Sequence, residues 1–275
     1  MRQETIGNME YETSLPLLVF PSLRNTGIVK HGFTTRLGGV SEGIYRSLNL
    51  SFTRGDREAD VRENFRRVAE ALDTEPDHFV FTDQTHTTNV RRVYEEDAGC
   101  GLTKERNFTD TDGLVTDVPG IMLSAFFADC VPLYFVDPVH KAIGLSHSGW
   151  RGTVGRMGKV TIEMMSREFG TDPADLICAV GPCICVNCYE ISSDVASKFA
   201  DEFRNHKDEI IRDDHNGKYH LDLNRTNEII LEEAGVLPEN ITLSGVCTCC
   251  NHDLLFSHRA SGGKRGNLGA FMSLV

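Results

Sequence analysis

The chain has 275 residues, and its 28 lysines and arginines against 40 aspartates and glutamates give a formal net charge of −12 with histidine neutral. This acidic balance excludes a protein that binds the phosphate backbone of nucleic acids, because such a protein needs a basic surface. A composition of 40% hydrophobic and 25% charged residues excludes disordered and fibrous classes. No apolar run reaches the roughly 20 residues of a membrane span, and the N-terminus lacks the pattern of a secretory signal. The sequence therefore predicts a cytoplasmic protein.

Strand and helix patterns follow one another without repeats or linkers, and they predict a single α+β domain of mixed β-sheets flanked by helices. We expect an N-terminal extension with a first strand over residues 1–28 and the domain itself over 29–273, with a two-lobe split near residue 170 as the alternative. Helices are predicted over 60–72, where Asp60 is the expected N-cap, and over 153–169, 193–203 and 224–234. Gly170 and Gly235 are the expected stops of the second and fourth of these helices.

Two apolar runs in the middle of the chain predict a β-hairpin. The run at 124–138 indicates one buried strand, and a second strand follows at 142–150 after the Asp137-Pro138 turn. A loop of two to four residues near Val139 or His140 would place Cys130 opposite residues 147–149. Directly opposed Cβ atoms on one sheet face are about 4.5–5.5 Å apart, so Cys130 and His147 are predicted to be neighbours.

Together with one further histidine, this pair forms a set of candidate metal ligands: His86, Cys130 and His147. Two imidazoles and a thiolate suit zinc, and three protein ligands leave a fourth position open, as in catalytic zinc sites. The alternative is that Cys130 is a buried core thiol and His86 a solvated loop residue. Asp129 precedes Cys130 inside the apolar run, so it needs a partner or a function, because an unpaired buried carboxylate costs several kcal/mol.

A glycine-bearing bend, HSGWRGT at 147–153, follows the second strand. Its backbone amides and Arg151 form a candidate anion site at the start of a helix, with a structural turn as the alternative. Arg36, His258 and Arg259 also lie in glycine-flanked surroundings, where isolated polar residues are usually solvated.

Nine cysteines without an export signal favour metal-binding or reactive thiols over a disulfide framework. Two tight groups stand out: Cys183, Cys185 and Cys188, then Cys247, Cys249 and Cys250. Each group offers a C-x2-C pair, so a closed four-thiolate zinc site could be formed by Cys185, Cys188, Cys247 and Cys250. The flanking residues look like strands rather than turns, which favours the alternative of small thiols packed in a sheet.

Several motifs in a fixed order resemble the laccase-domain family, the YfiH/YlmD-like proteins. The resemblance spans about residues 29–273 and rests on HGFTTRLGGVS (31–41), SLNL (47–50), QTH (84–86), DGLVTD (112–117), ADCVP (128–132), HSGWRGT (147–153), GPCI (181–184), CYE (188–190), LDL (221–223), CTCC (247–250) and FSHR (256–259). The sequence departs from common family patterns at Ser148, Cys185, Asn187 and Gly266-Asn267.

The resemblance implies mixed β-sheets flanked by helices and a zinc ion held by His86, Cys130 and His147. It also implies phosphorolysis of adenosine, inosine, guanosine and methylthioadenosine, with adenosine deamination as a second activity. The small-molecule partners would be purine nucleosides and phosphate, with no nucleic acid and no membrane, and a homodimer is one assembly that the sequence allows. Catalytic roles fall to the metal trio and Asp129, and the expected substrate and phosphate contacts are Arg36, Asn49, Arg151, His258 and Arg259.

Two alternatives follow from the same observations. The older family name implies a copper-dependent polyphenol oxidase, but coupled copper sites rely on paired His-x-His ligands, and the chain contains no His-x-His. A non-catalytic zinc protein that uses the cysteine groups is the second alternative, and its metal would survive replacement of His86.

Overall fold

Two large β-sheets organise the chain in a computed structural model, which describes residues 5–12, 15–215 and 217–275. In chain order the strands are β1 (Thr5–Ile6), β2 (Met9–Glu12), β3 (Leu17–Val19), β4 (Val29–Thr34), β5 (Phe79–Phe81), β6 (Val90–Arg92), β7 (Gly113–Thr116), β8 (Met122–Phe127), β9 (Val131–Asp137), β10 (Ala142–Ser148), β11 (Ile177–Val180), β12 (Glu190–Ile191), β13 (Ile211–Asp213), β14 (Tyr219–Leu221), β15 (Ile241–Leu243) and β16 (Leu268–Leu274). The α-helices are α1 (Pro21–Arg24), α2 (Glu58–Ala71), α3 (Trp150–Val154), α4 (Met157–Phe169), α5 (Ser193–Glu202), α6 (Lys207–Ile210) and α7 (Leu223–Glu233).

The strand order shows that the sheets are mixed, as predicted. A seven-stranded sheet has the order β1-β2-β3-β4-β16-β8-β5, and a six-stranded sheet has the order β15-β11-β9-β10-β7-β6. The first sheet contains a parallel pair, β5 with β8, among antiparallel ones. Because β11 pairs with β9, the chain on both sides of residue 170 shares one sheet. Strands β12, β14 and β13 form a small third sheet.

The two large sheets pack face to face, and helices cover their outer faces. Strand β9 shows the arrangement: Tyr134 and Val136 join the core between the sheets, whereas Leu133 and Phe135 join the core under the helices. Successive strand residues point to opposite faces, so a strand covered on both sides is apolar throughout. A third hydrophobic core lies between α2 and the seven-stranded sheet, and Phe65 of α2 belongs to it. The α+β prediction is confirmed.

The predicted helices occur with adjusted ends. Helix α2 begins at Glu58, so Asp60 lies in its first turn and the prediction of Asp60 as N-cap is wrong. The predicted helix over 153–169 is two helices, α3 and α4, because Arg156 between them adopts a left-handed backbone conformation with φ 59°. Gly170 ends α4 with φ 77°, as expected for a left-handed C-cap. Asp222 caps α7 by accepting a hydrogen bond from the Arg225 backbone N–H.

The predicted hairpin is confirmed, but the predicted single strand over 124–138 is wrong. Strands β9 and β10 pair antiparallel, with His147 opposite Pro132 and Ser148 opposite Val131. The apolar run divides at residues 128–130, where Asp129 has φ 85° and the chain passes from β8 in one large sheet to β9 in the other. Cys130 and Asp129 therefore lie at the crossing between the two sheets.

The N-terminal residues join the seven-stranded sheet. Strand β3 pairs with β4, and β2 and β1 extend the sheet outward from it. In the described part of the chain, no helix has both the length and the apolar character needed to cross a membrane.

His31 in β4 should make stability fall in acid. Its ring is buried, its Nε2 accepts a hydrogen bond from the Phe20 backbone N–H at 2.8 Å, and burial together with the Arg24 cation lowers its pKa to about 3. In the unfolded chain, His31 protonates near its ordinary pKa of about 6.5. The contribution of neutral His31 to the free energy of unfolding is therefore full above that pH and is lost as the pH falls toward 3.

The measurement is the free energy of unfolding of the natural chain and of His31→Gln at about pH 7.5 and about pH 5.5. The natural chain should lose about 1.4 kcal/mol more than the variant over this interval, because pH 5.5 is about one unit below the unfolded pKa. Titrations common to both proteins cancel in the difference. Equal losses in the two proteins would contradict the prediction.

Candidate metal centre and adjoining cleft

Three segments bring His86, Cys130 and His147 together. His86 lies in the loop after β5, Cys130 at the crossing between the sheets, and His147 near the end of β10. One ligand atom from each of the three lies within 4.8 Å of the others, and the two imidazole ring centroids are 5.0 Å apart at 82°. His147 is buried, whereas His86 is exposed to solvent at the open side. The predicted proximity of Cys130 and His147 is confirmed, and His86 joins them.

Asp112 fixes the positions of both histidines. Its buried carboxylate accepts hydrogen bonds from the backbone N–H groups of Thr85, His86 and Thr87 at 3.0, 3.2 and 3.0 Å. The same carboxylate lies 2.7 Å from His147 Nδ1, which leaves His147 Nε2 as the ligand atom. These bonds also hold His86 in its left-handed conformation with φ 67°. In the sequence, Asp112 stands out only as the first residue of the DGLVTD motif (112–117).

The electrostatics of the trio favour the thiolate. Burial raises the pKa of Cys130, but His147 and His86 outweigh burial, so the pKa lies below its ordinary value. Burial lowers the pKa of His147, whereas Cys130 and Asp112 raise it, with a net increase. A thiolate is the form of cysteine that binds metal ions, so the two histidines favour the form of Cys130 that could bind one.

Gly149 leaves room for an ion beside these ligands. A Cβ atom at position 149 would lie 3.1 Å from Cys130 Sγ and 3.1 Å from His86 Cδ2. The bend therefore needs glycine at this point because of a close approach, since its φ of −72° is ordinary. One sulfur and two imidazole donors around this space match the preferences of zinc, and three protein ligands leave an open coordination position.

The trio forms one wall of a cleft of about 460 Å³, a size typical of small-molecule sites. Arg265 lines it and is 9% exposed, and its Nε has no hydrogen-bond partner among the described residues. Burial and the neighbouring Arg54 lower the pKa of Arg265 to about 10, so it stays charged at neutral pH. The other lining residues are Ser51, Phe52, Thr53, Arg54, Thr82, Asp83, Gln84, Gly101, Arg106, Phe126, Phe127, Ala128 and Asn267.

Two of the predicted substrate contacts hold loops together instead of lining this cleft. The Arg36 guanidinium donates to the backbone carbonyls of Arg46 at 2.8 Å and His252 at 2.9 Å. Asn49 is buried, and its amide nitrogen donates to Asp56 at 2.9 Å while its oxygen accepts from the Asn267 backbone N–H at 2.9 Å. Asn49 thereby positions the segment that carries Arg265.

The other predicted contacts also lie outside the lining of the cleft. Arg151 is exposed, with its guanidinium 4.3 Å from the centre of the Trp150 ring, and His258 is exposed as well. The Arg259 backbone N–H donates to Asp129 Oδ2 at 2.7 Å, and its guanidinium donates to the backbone carbonyls of Cys188 and Glu190.

Asp129 has partners for both carboxylate oxygens. Thr248 Oγ1 donates to Asp129 Oδ1 at 2.6 Å, and the second oxygen accepts the bond from Arg259. The carboxylate next to Cys130 is therefore turned toward two neighbouring loops, and it satisfies the requirement that a buried acid has partners.

Asp112→Asn should weaken metal binding by about 10- to 100-fold, because outer partners of a ligating histidine typically contribute that much. An amide has only one acceptor oxygen for the contacts that the carboxylate makes to His147 and to the loop of His86. The measurement is a competition titration with a chromophoric chelator. The matched control is Asp117→Asn, which removes a carboxylate paired with Arg92 at 2.9 Å and should leave the affinity unchanged. An unchanged affinity in Asp112→Asn would show that the carboxylate does not orient the ligands.

A cleft beside three side chains that could hold a metal ion is the arrangement typical of a metal site open to a small molecule. The family model described as "Multi-copper polyphenol oxidoreductase laccase" matches residues 30–275, and the chain belongs to this laccase-domain family.

Curated relatives extend over nearly the same region. The chain is 34% identical over 252 residues to the "Purine nucleoside phosphorylase YlmD" of Bacillus subtilis, covering 91% of this chain and 90% of the relative. It is 34% identical over 232 residues to "Adenosine deaminase RL5" from an unknown prokaryotic organism, covering 84% and 88%. A solved structure, the Bacillus licheniformis hypothetical protein YfiH, superposes with a TM-score of 0.92 at 34% identity and covers 98% of this chain and all of that one.

Proposed function

We propose that the protein is a zinc-dependent purine nucleoside phosphorylase that converts adenosine, inosine, guanosine or methylthioadenosine and phosphate into free base and ribose 1-phosphate or its methylthio analogue. The observation that carries the proposal is the cleft itself, in which three side chains able to hold a metal ion and the buried Arg265 guanidinium line one space. The printed name of the Bacillus subtilis relative supports this reaction class.

Phosphate would bind at the arginine side of the cleft. Arg265 lines the cleft with a guanidinium that stays charged at neutral pH, and Arg54 adds a second positive charge. A third cation, Arg106, is paired with Asp83 at 2.8 Å, so it contributes less to anion binding. Guanidinium groups bind phosphate oxygens through charge-assisted hydrogen bonds, and they orient the phosphate toward the sugar.

The nucleoside would occupy the space between the arginines and the metal ligands. Phe52 and Phe126 line the cleft and present apolar surface suited to a purine ring. When bound to His86, Cys130 and His147, zinc supplies a Lewis acid that stabilises negative charge on the departing base. The phosphate held by Arg265 stabilises the positive charge that develops on the sugar as the glycosidic bond breaks.

Adenosine deamination is a second candidate, which the printed name of the RL5 relative favours. Deamination needs a carboxylate that moves protons near the base. In our proposal Asp83, which lines the cleft, takes this role, and Asp129 acts as a positioning residue through its bonds to Thr248 and Arg259. Asp83 thus replaces Asp129, which the sequence alone indicates for this role because it is the carboxylate nearest to Cys130 along the chain.

Copper-dependent phenol oxidation is the less favoured alternative. The described residues contain two groups of side chains able to hold a metal ion: the trio and a set of four cysteines. A coupled copper site needs several histidine ligands around neighbouring copper ions, and neither group supplies them.

The test is a phosphate-dependent assay on untagged protein, with metal content measured by mass spectrometry. We expect adenine release from adenosine that requires phosphate, with zinc in the protein and loss of turnover after treatment with a chelator. Turnover of a phenol by copper-containing protein, without release of adenine, would contradict the proposal.

A further inference from the structure

Four cysteine thiols converge away from the cleft. Cys185 and Cys188 lie in the turn between β11 and β12, and Cys247 and Cys250 lie in a turn after β15. All four Sγ atoms lie within 4.8 Å of one another. The expectation that these cysteines lie in strands and pack a sheet is therefore wrong: the segments are turns, and the thiols face a common point.

The distances match a tetrahedral ion better than disulfides. Cys185 Sγ lies 4.0 Å from Cys250 Sγ, and Cys188 Sγ lies 3.5 Å from the same atom. Four sulfurs at about 2.3 Å from zinc are about 3.8 Å apart in a tetrahedron. A disulfide needs about 2.05 Å between sulfurs, and all of these cysteines are free thiols.

The backbone around the thiols supports bound thiolates. The N–H groups of Cys185 and Cys250 both point at Cys247 Sγ, each at 3.3 Å. Hydrogen bonds from outer groups to a ligand atom are a regular feature of metal sites, because they stabilise its negative charge and fix its direction. The Arg259 guanidinium, which donates to the Cys188 carbonyl at 2.9 Å, adds a positive charge beside a cluster that would otherwise be strongly negative.

The two turns are joined independently of the thiols. Cys183 and Cys247 form an isolated β-bridge, and the Thr248 N–H donates to the Cys183 carbonyl at 3.1 Å. The two C-x2-C halves are thus held in place by backbone bonds before an ion enters. Cys247 is buried and Cys250 is exposed, so the cluster has an inner wall and an opening to solvent.

We propose that Cys185, Cys188, Cys247 and Cys250 bind a zinc ion as a closed four-thiolate site. Four protein ligands leave no position for substrate, so this ion is structural. It joins the turn of Cys188 to the turn that carries Thr248, which holds Asp129 next to Cys130. The proposal concerns a site separate from the cleft and does not depend on the proposed enzymatic activity.

The decisive sample is the full chain with His86→Ala, Cys130→Ala and His147→Ala combined, which lacks the ligands of the cleft. Purified without oxygen and with a reductant, then loaded with zinc chloride and desalted, it should retain about one zinc per chain. X-ray absorption at the zinc edge should show sulfur alone in the first shell, at about 2.3 Å. No retained zinc, or a first shell containing nitrogen or oxygen, would overturn the proposal.

A second variant tests the same site in the chain with an intact cleft. Cys185→Ser/Cys188→Ser should lower the zinc content from about two to about one per chain, with mixed nitrogen and sulfur coordination remaining. The matched control, Cys249→Ser, changes a neighbouring thiol outside the set and should keep about two. Unchanged zinc content in the double variant would also overturn the proposal. If the double variant does not fold, the zinc content and zinc coordination of the triple variant alone test the proposal.

Discussion

Cys130→Ala should remove one equivalent of metal and lower the rate of phosphorolysis by at least about 100-fold, because losing a ligand costs more than losing an outer partner of one. Cys130 supplies the thiolate of the trio, and its sulfur lies close to both imidazoles. Without it, two histidines remain, and one of them is solvent-exposed. The measurements are zinc content by mass spectrometry and the initial rate of adenine release at saturating phosphate.

The matched control for this change is Cys178→Ala. Cys178 is fully buried in β11 and belongs to the core under the helices rather than to the trio. This variant should keep its metal and its turnover, with a modest loss of stability from the smaller side chain. Full phosphorolysis by Cys130→Ala in the absence of its metal equivalent would refute the assignment of the site.

Arg265→Met should raise the KM for phosphate by about 10- to 100-fold, since a hydrogen bond to a charged group contributes about 1.5–3 kcal/mol. Methionine keeps the apolar volume but removes the guanidinium that lines the cleft. The KM for adenosine should change much less, because the aromatic part of the cleft is untouched. Initial rates measured over a matrix of phosphate and adenosine concentrations separate the two constants.

Arg151→Met is the informative comparison. Arg151 is the arginine that the sequence pattern indicates for phosphate, but its side chain lies over Trp150 and outside the lining of the cleft. We expect its KM for phosphate to stay within about twofold of the natural value, since surface substitutions usually act within about 0.5 kcal/mol. The opposite pattern, a large effect at Arg151 and none at Arg265, would move the phosphate site to the start of α3.

The fold was predictable where the pattern of residues close together in the sequence specifies a helix, a strand or a turn. Apolar periodicity located α2, and the Asp137-Pro138 turn with its flanking strands predicted the β9–β10 hairpin correctly. The division of the run at Asp129 was not predictable in this way. Residues before and after it are equally apolar, because β8 and β9 are both buried, and nothing local shows that they belong to different sheets.

The site was predictable to a similar extent. The hairpin predicted that Cys130 and His147 are neighbours, and His86 was included as a residue type suited to zinc before the family motifs implied the same trio, whereas Asp112 and Arg265 were missed. Arg265 stands among glycines and a lysine, a pattern typical of an exposed loop, but it is 9% exposed. Asn49 illustrates the converse, since it belongs to a recognisable motif yet uses its side chain to hold the segment of Asn267.

By itself, the sequence determined the α+β class, the family, the hairpin and the residue types suited to a metal ion, because these depend on local periodicity and on motifs. The tertiary structure decided which distant groups meet. It placed Asp112 between two histidines, turned Asp129 toward Thr248 and Arg259, and gathered the thiols of two turns about 60 residues apart. Such contacts depend on how the sheets pack, and side-chain patterns along the chain do not encode that packing locally.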